Sequence, residues 1–259
     1  MKQLGLIGHP LLHSRSPKLH LEMGKLLDRK LSYELLDAPD QSALKKMIDA
    51  LKNGRYDGFN VTIPYKEVIL PFLDVLTPKA KKIGAVNTIY VKNNEIIGDN
   101  TDYDGFKYLL EMHLKKHPTK DIIILGSGGA AKACYVVCKD LGFDPIVISR
   151  NVKSSAFFDK IVTYDDLNHM NYDLIINTTP VGMYPNIEQM PLDKNLVSGK
   201  YVIDLIYNPL TTQLMQYASD SIGGMDMLII QAFHAQNIWF NDDINIDNTM
   251  LQTLKEALK

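Results

Sequence analysis

Lys66 and Asp102 are the one lysine and one aspartate in a set of small polar groups at the ends of predicted elements in the first half of the chain. Lys66 follows Asn60 and Thr62 in "NVTIPYK", Asp102 closes "DNTD", Asn87 lies in "GAVNT", and Ser14 and Ser16 lie in "HSRSP". One cation, one carboxylate, amides and hydroxyls, with no large cation cluster, suit a small polyhydroxylated acid that needs many donors and acceptors. Each residue also has a purely structural use. Ser16 can cap a helix, Asn87 can make a turn, Asp102 can cap the helix after it, and Lys66 can sit in solvent.

A second centre lies further on. "DIIILGSGGAA" (121–131) is an apolar run followed by Gly126, Gly128 and Ala131, with Ser127, Gly129 and Ala130 between them. A G-x-G-x-x-A turn after a strand and before a helix lets backbone approach a pyrophosphate, and the helix then offers its unpaired N–H groups to phosphate. The next apolar run ends in Ser149, Arg150 and Asn151, with no acid to grip a ribose 2′-hydroxyl. A guanidinium there can fork onto a 2′-phosphate, which favours NADP over NAD.

The elements that must carry these residues alternate. "LGLIG" (4–8), "YELLD" (33–37), "FNVTI" (59–63) and "AVNTIYV" (85–91) read as strands, and 16–27 and 41–53 as helices, the first with Ser16-Pro17 as cap and first position. In the third strand Val61 and Ile63 point to an apolar face, Asn60 and Thr62 to a polar one, and Pro64 ends the ladder. Such repetition predicts a mostly parallel sheet with ligands beyond the carboxyl ends of its strands. After a boundary near 101 come a helix over 103–116 and the glycine turn. Apolar strands follow at 145–149, 172–179 and 201–207, then helical residues from about 232 to 259.

Composition sets limits on this reading. The chain has 259 residues, enough for two domains, with 46% hydrophobic and 22% charged residues and a net charge of −2. That balance favours neither bulk nucleic acid nor an anionic membrane. No apolar run approaches a membrane span or a secretory leader, so the cytoplasm is expected. Cys134 and Cys138, four apart on a helix, are expected as small buried hydrophobes, and no metal site is expected.

"HSRSP" (13–17), "NVTIPYK" (60–66), "GAVNT" (84–88), "DNTD" (99–102), "GSGGAA" (126–131), "NTTPVGM" (177–183), "DLIYNP" (204–209) and "GGMDMLIIQA" (223–232) run in order over nearly the whole chain, and together they resemble the shikimate dehydrogenases. The resemblance implies reversible NADPH-dependent reduction of 3-dehydroshikimate to shikimate, in aromatic amino acid biosynthesis. It implies an α/β protein of two domains with a cleft between them. One is an N-terminal α/β substrate domain (1–101 plus 232–259) with a mostly parallel sheet; the other is a Rossmann-like NADP-binding domain (102–231). A monomer or homodimer is expected. Lys66 and Asp102 resemble the family's catalytic pair. Ser14, Ser16, Thr62, Asn87, Tyr207 and Gln231 match its substrate contacts, with Asn60 in the same motif. Gly126, Ser127, Gly128, Gly129, Ala130, Ser149, Arg150, Asn151, Thr178, Leu205 and Gly224 match cofactor positions. The chain departs from the family at Ser149-Arg150-Asn151, often Asn-Arg-Thr, and at Pro78, often an acid. Rival readings are a quinate/shikimate dehydrogenase using NAD, a non-catalytic NADP-binding regulator, and a folate or amino acid dehydrogenase of similar architecture.

Overall fold

A computed structural model describes residues 1–11, 14–150, 152 and 157–258. It divides into two compact units, Met1–Asp104 with Ile229–Lys259, and Gly105–Leu228. The first unit therefore runs to Asp104 rather than 101 and resumes at Ile229 rather than 232. The reason is local: Asp102 and Asp104 bind Lys66 and Lys79 of the first unit, and Gln231 reaches Asn87 there.

The first unit begins with β1 (Lys2–Gly8), α1 (Ser16–Leu26), β2 (Leu31–Asp37), α2 (Gln41–Lys52), β3 (Gly58–Val61) and the single turn α3 (Tyr65–Val68). It continues with β4 (Val75–Leu76), α4 (Pro78–Ile83), β5 (Thr88–Lys92) and β6 (Glu95–Asp99). Its sheet order is β2-β1-β3-β5-β6-β4. The β1 pairs and β4–β6 are parallel, whereas β3–β5 and β5–β6 are antiparallel. α2 shows why these segments fold as they do. Asp40 caps it by accepting the Ala43 N–H at 2.8 Å, and Leu44, Ile48 and Leu51, spaced for one face, are buried. Each such leucine or isoleucine contributes roughly 1.5–3 kcal/mol by leaving water.

Several expectations change on contact with this unit. β3 stops at Val61 and all four of its residues are buried, since Phe59 and Val61 belong to the core cluster with Leu44, Ile48 and Leu51 of α2 and Trp239 closes over Gly58. Ile63 is 73% exposed instead of joining the apolar face, and Asn60 is buried at 6%. Ser16 is the first residue of α1, not its cap. Arg15 holds the cap position with no side-chain bond, while the Ser14 hydroxyl accepts the Ser16 N–H at 3.2 Å. The hairpin β5–β6 was not anticipated. Its turn is Asn93-Asn94, both left-handed (φ 52° and 65°), the pattern of a type I′ turn.

α5 (Asp102–Leu114) leads into the second unit, which holds β7 (Ile122–Leu125), α6 (Gly129–Asp140), β8 (Ile146–Ile148), β9 (Ile161–Val162) and β10 (Leu174–Asn177). Short α7 (Lys194–Val197), β11 (Tyr201–Asp204), short α8 (Gln213–Gln216) and β12 (Asp220–Gly223) complete it. The order β12-β11-β10-β7-β8-β9 is parallel throughout. β7 and β10 are wholly buried, as their unbroken apolar runs predict. Cys134 and Cys138 are buried in α6 and form no disulfide.

α9 (Met225–Phe240) and α10 (Asn248–Leu258) return the chain to the first unit. Trp239 donates its indole N–H to the Ile89 carbonyl at 3.1 Å and joins a cluster with His20 and Tyr33. His20 is fully buried, and burial pulls its pKa from 6.5 down to about 3. A histidine neutral in the fold but protonated when unfolded contributes stability above pH ~6.5, lost as pH falls toward 3. Melting temperature should therefore drop as pH falls through that window. His20→Phe, which keeps the stacked ring, should flatten the drop. A pH series of thermal melts with equal slopes for both proteins would reject the assignment.

Candidate active site

Lys66 enters the site because α3 follows immediately on the end of β3. Its own carbonyl accepts the Val86 N–H at 2.8 Å, which ties that turn to the segment before β5. Its ammonium donates to Asp102 Oδ2 at 2.5 Å, with the side chains only 19% and 10% exposed. Asp102 opens α5, where its backbone N–H donates to Asn100 Oδ1 at 3.1 Å, and the Asn100 amide donates to the Ala85 carbonyl at 2.8 Å. The second oxygen of Asp102 accepts Asn87 Nδ2 at 2.9 Å. Both carboxylate oxygens are thus engaged, so removing one partner would leave a buried charge unbalanced.

Asn87 organises the rest. Its side-chain oxygen accepts the Thr101 N–H at 2.7 Å and the Thr88 hydroxyl at 3.0 Å, and its amide reaches Gln231 Oε1 at 3.5 Å. Its carbonyl accepts the Val61 N–H at 2.8 Å and Asn60 Nδ2 at 3.1 Å. Asn60 Oδ1 in turn accepts the Tyr33 hydroxyl at 2.7 Å. Lys66, Asp102, Asn87, Gln231 and Asn60 are therefore one connected network within the first unit. Thr62 is held by the backbone beside this network: its N–H donates to the Ile7 carbonyl and its carbonyl accepts the Tyr65 N–H. Ser14 and Ser16 lie half-buried at the start of α1. Pro78 is the first residue of α4, capped by Thr77. Tyr33, Thr88, Asn100 and Thr101 were missed. The signal available for Thr88 was a polar residue opening an otherwise apolar strand.

The second unit carries the other expected positions. After β7, Gly126 is left-handed (φ +102°), and a Cβ there would lie 2.7 Å from Thr178 Oγ1, which itself donates to the Leu125 carbonyl. Only glycine relieves both constraints. Gly128 caps α6 with no side-chain bond, and no atom lies within 4 Å of where its Cβ would stand. The first turn of α6, Gly129 and Ala130 included, thus presents free N–H groups beside open space, as a phosphate requires. Ser127 and Ser149 hydroxyls meet at 3.1 Å, and Arg150 beyond them is exposed. Asn151 lies outside the described residues. Gly224 is fixed by close approach, because a Cβ would come within 2.1 Å of the Leu205 carbonyl oxygen. Tyr207 is half-buried just past β11.

A buried brace that the sequence reading did not identify holds the ends of β10 and β11. Asp204 accepts the Thr212 hydroxyl at 2.6 Å, Asn177 Nδ2 at 3.0 Å and the Ile206 N–H at 3.1 Å. Burial raises its pKa against the pull of those three donors. Among the described residues, no group of acidic, histidine or cysteine side chains could hold a metal, and no helix is long and apolar enough to cross a membrane.

A glycine turn open to phosphate in one unit, and a lysine–aspartate pair set among amides in the other, are the equipment of a dinucleotide-dependent oxidoreductase. Residues 6–89 match the family model described as shikimate dehydrogenase substrate binding domain. A curated relative from Clostridium beijerinckii, named shikimate dehydrogenase (NADP(+)), is 38% identical, with 98% of this chain and 97% of its own length covered. Solved structures agree. Shikimate dehydrogenase 1 from Peptoclostridium difficile is 36% identical with TM-score 0.89, covering 100% of this chain and 98% of its own. The Thermus thermophilus enzyme, solved with NADP(H) and shikimate, is 29% identical with TM-score 0.85, covering 99% and 100%. The chain belongs to the shikimate dehydrogenase family.

Proposed function

We propose that the protein catalyses the reversible, NADP(H)-dependent interconversion of shikimate and 3-dehydroshikimate, with the first unit holding the substrate and the second the dinucleotide. The observation that carries this reading is the Lys66–Asp102 pair, buried and braced by Asn87. The bound nicotinamide supplies or takes up the hydride at C3. The chain's own part is electrostatic and positional. In the reductive direction the Lys66 ammonium faces the oxygen on which charge develops, and stabilises it and passes it a proton. Asp102 holds that ammonium in place and accepts a hydrogen bond from the substrate. Asn87, Thr62, Gln231, Tyr207 and the two serines bind the remaining oxygens. Gly126 to Ala130, Ser149, Thr178, Leu205 and Gly224 shape the dinucleotide site, and Arg150 with Asn151 receives the 2′-phosphate.

Formation of reduced nicotinamide from NADP+ with shikimate, followed by absorbance, tests the reading. Turnover with shikimate well above that with quinate is expected, and no turnover with shikimate would reject it. Ser14→Ala and Ser16→Ala should each raise KM for shikimate and leave KM for NADP+ nearly unchanged. If the serines receive the carboxylate, the methyl ester of shikimate should lose little further affinity in the double variant. A large further loss would move the carboxylate elsewhere.

A further inference from the structure

Asp204 ends β11 fully buried, and no step above uses it. Thr212, which caps α8, gives its hydroxyl to Oδ2 at 2.6 Å. Asn177, the last residue of β10, gives its amide to Oδ1 at 3.0 Å, and the Ile206 N–H reaches the same oxygen at 3.1 Å. Asn177 passes the tie onward, since its side-chain oxygen accepts the Thr179 N–H at 3.0 Å and the Thr179 hydroxyl at 2.7 Å. A carboxylate out of water among neutral donors is a costly way to hold a fold, because apolar side chains of the same size would pack there without that cost. What the carboxylate supplies is direction: one side chain fixes the ends of two neighbouring strands.

The peptide that leaves β11 is held between them. The Leu205 N–H donates to the Asn177 carbonyl at 3.0 Å, Asp204 takes the Ile206 N–H, and the Ile206 carbonyl accepts the Gly224 N–H at 3.0 Å. Gly224 leaves no room on that side, as its close approach to the Leu205 carbonyl oxygen shows. Leu205 itself is only half-buried. The sheet order fixes which end of a dinucleotide such a segment meets. In β12-β11-β10-β7-β8-β9 the glycine turn follows β7, and Arg150 stands just past β8. A dinucleotide on a sheet of this order lies across both halves, with its pyrophosphate at the glycine turn. With the 2′-phosphate of the adenosine at Arg150, the nicotinamide falls to the ends of β10, β11 and β12.

We infer that Asp204 is a positioning residue for the nicotinamide half of the cofactor, holding the Leu205–Ile206 peptide in place beside it and taking no part in binding the adenosine half. The inference rests on the proposed function, in which the second unit binds the dinucleotide.

Calorimetric titration of the full chain, without shikimate, tests it with two ligands: NADP+, and 2′,5′-ADP, which keeps the 2′-phosphate but lacks the nicotinamide. The unaltered protein should bind NADP+ more tightly than 2′,5′-ADP. In Asp204→Ala the Kd for NADP+ should rise about tenfold, the effect of one buried hydrogen bond, while the Kd for 2′,5′-ADP stays within about twofold. A merely structural role would weaken both ligands alike. If Asp204→Ala does not fold, Thr212→Val, which is close in shape and removes one of the three bonds, should reduce the preference for NADP+ about threefold. Loss of the α8 cap in that variant would lower its melting temperature and not the preference. An unchanged preference in the variant that folds, equal losses of both ligands, or an unaltered protein that binds both equally would each overturn the inference. Those results leave the proposed function standing if the unaltered enzyme turns over shikimate with NADP+. An unaltered protein that binds neither ligand defeats both.

Discussion

Lys66→Ala is expected to lower kcat for shikimate oxidation by about 10²–10⁴-fold, the range for loss of a positioned proton-transfer group. KM for shikimate should move far less, because an interaction made mainly in the transition state affects kcat and kcat/KM together. The alternative for this residue is a solvated lysine, whose removal changes stability within about ±0.5 kcal/mol and leaves kcat untouched. The structure speaks against the solvated alternative alone. A solvated lysine would not be 19% exposed with its ammonium 2.5 Å from a carboxylate that is itself 10% exposed. Lys66→Arg should restore only part of the rate, since guanidinium keeps the charge but is a far weaker acid with a fixed fork. Asp102→Asn should also lower kcat, and it leaves Asn87 Nδ2 facing an amide instead of a carboxylate. The Lys66→Ala/Asp102→Asn double variant should lose less than the two single losses combined, because either change alone dismantles the same pair. A folded Lys66→Ala enzyme with unaltered kcat would end the proposed chemistry.

How much of this was legible beforehand depended on whether the signal was local. The glycine turn was, since strand, turn and helix are contiguous and Gly126 and Gly128 have backbone roles that the residue type announces. The buried runs of β7 and β10 were legible for the same reason. Lys66 and Asp102 were legible only as isolated polar residues. Their meeting depends on β3, β5 and α5 being brought together, and no spacing along the chain encodes that. Only the family resemblance pointed to the pairing in advance. Buried hydrogen-bonded residues such as Tyr33 and Asp204 were invisible. A tyrosine or an aspartate inside an apolar run reads as strand filler until its partner is known. Alternation misled at Ile63, because β3 is buried on both faces and stops at Val61, so period-two patterning carries no facing information there. The short strands β4, β9 and β12 have too few residues to show any period at all.

Arg150→Ala is expected to weaken NADPH by about 10–150-fold while leaving NADH nearly unchanged, because only the former carries the 2′-phosphate that a guanidinium can fork onto. A charge-assisted hydrogen bond contributes roughly 1.5–3 kcal/mol, and 1.4 kcal/mol is a factor of ten. Arg150 is exposed, and an exposed pair is screened by water and salt, so the lower part of that range applies at physiological ionic strength. The loss should therefore grow when salt is reduced. Ser149 offers a control. It is buried and hydrogen-bonded to Ser127, so Ser149→Ala disturbs the glycine turn that both cofactors share and should weaken both alike. The NADPH to NADH ratio of kcat/KM, measured for the unaltered enzyme and both variants at two salt concentrations, separates these effects. Equal losses with NADPH and NADH in Arg150→Ala would mean that the guanidinium supports the loop and does not read the phosphate. The cofactor preference would then have to come from another residue.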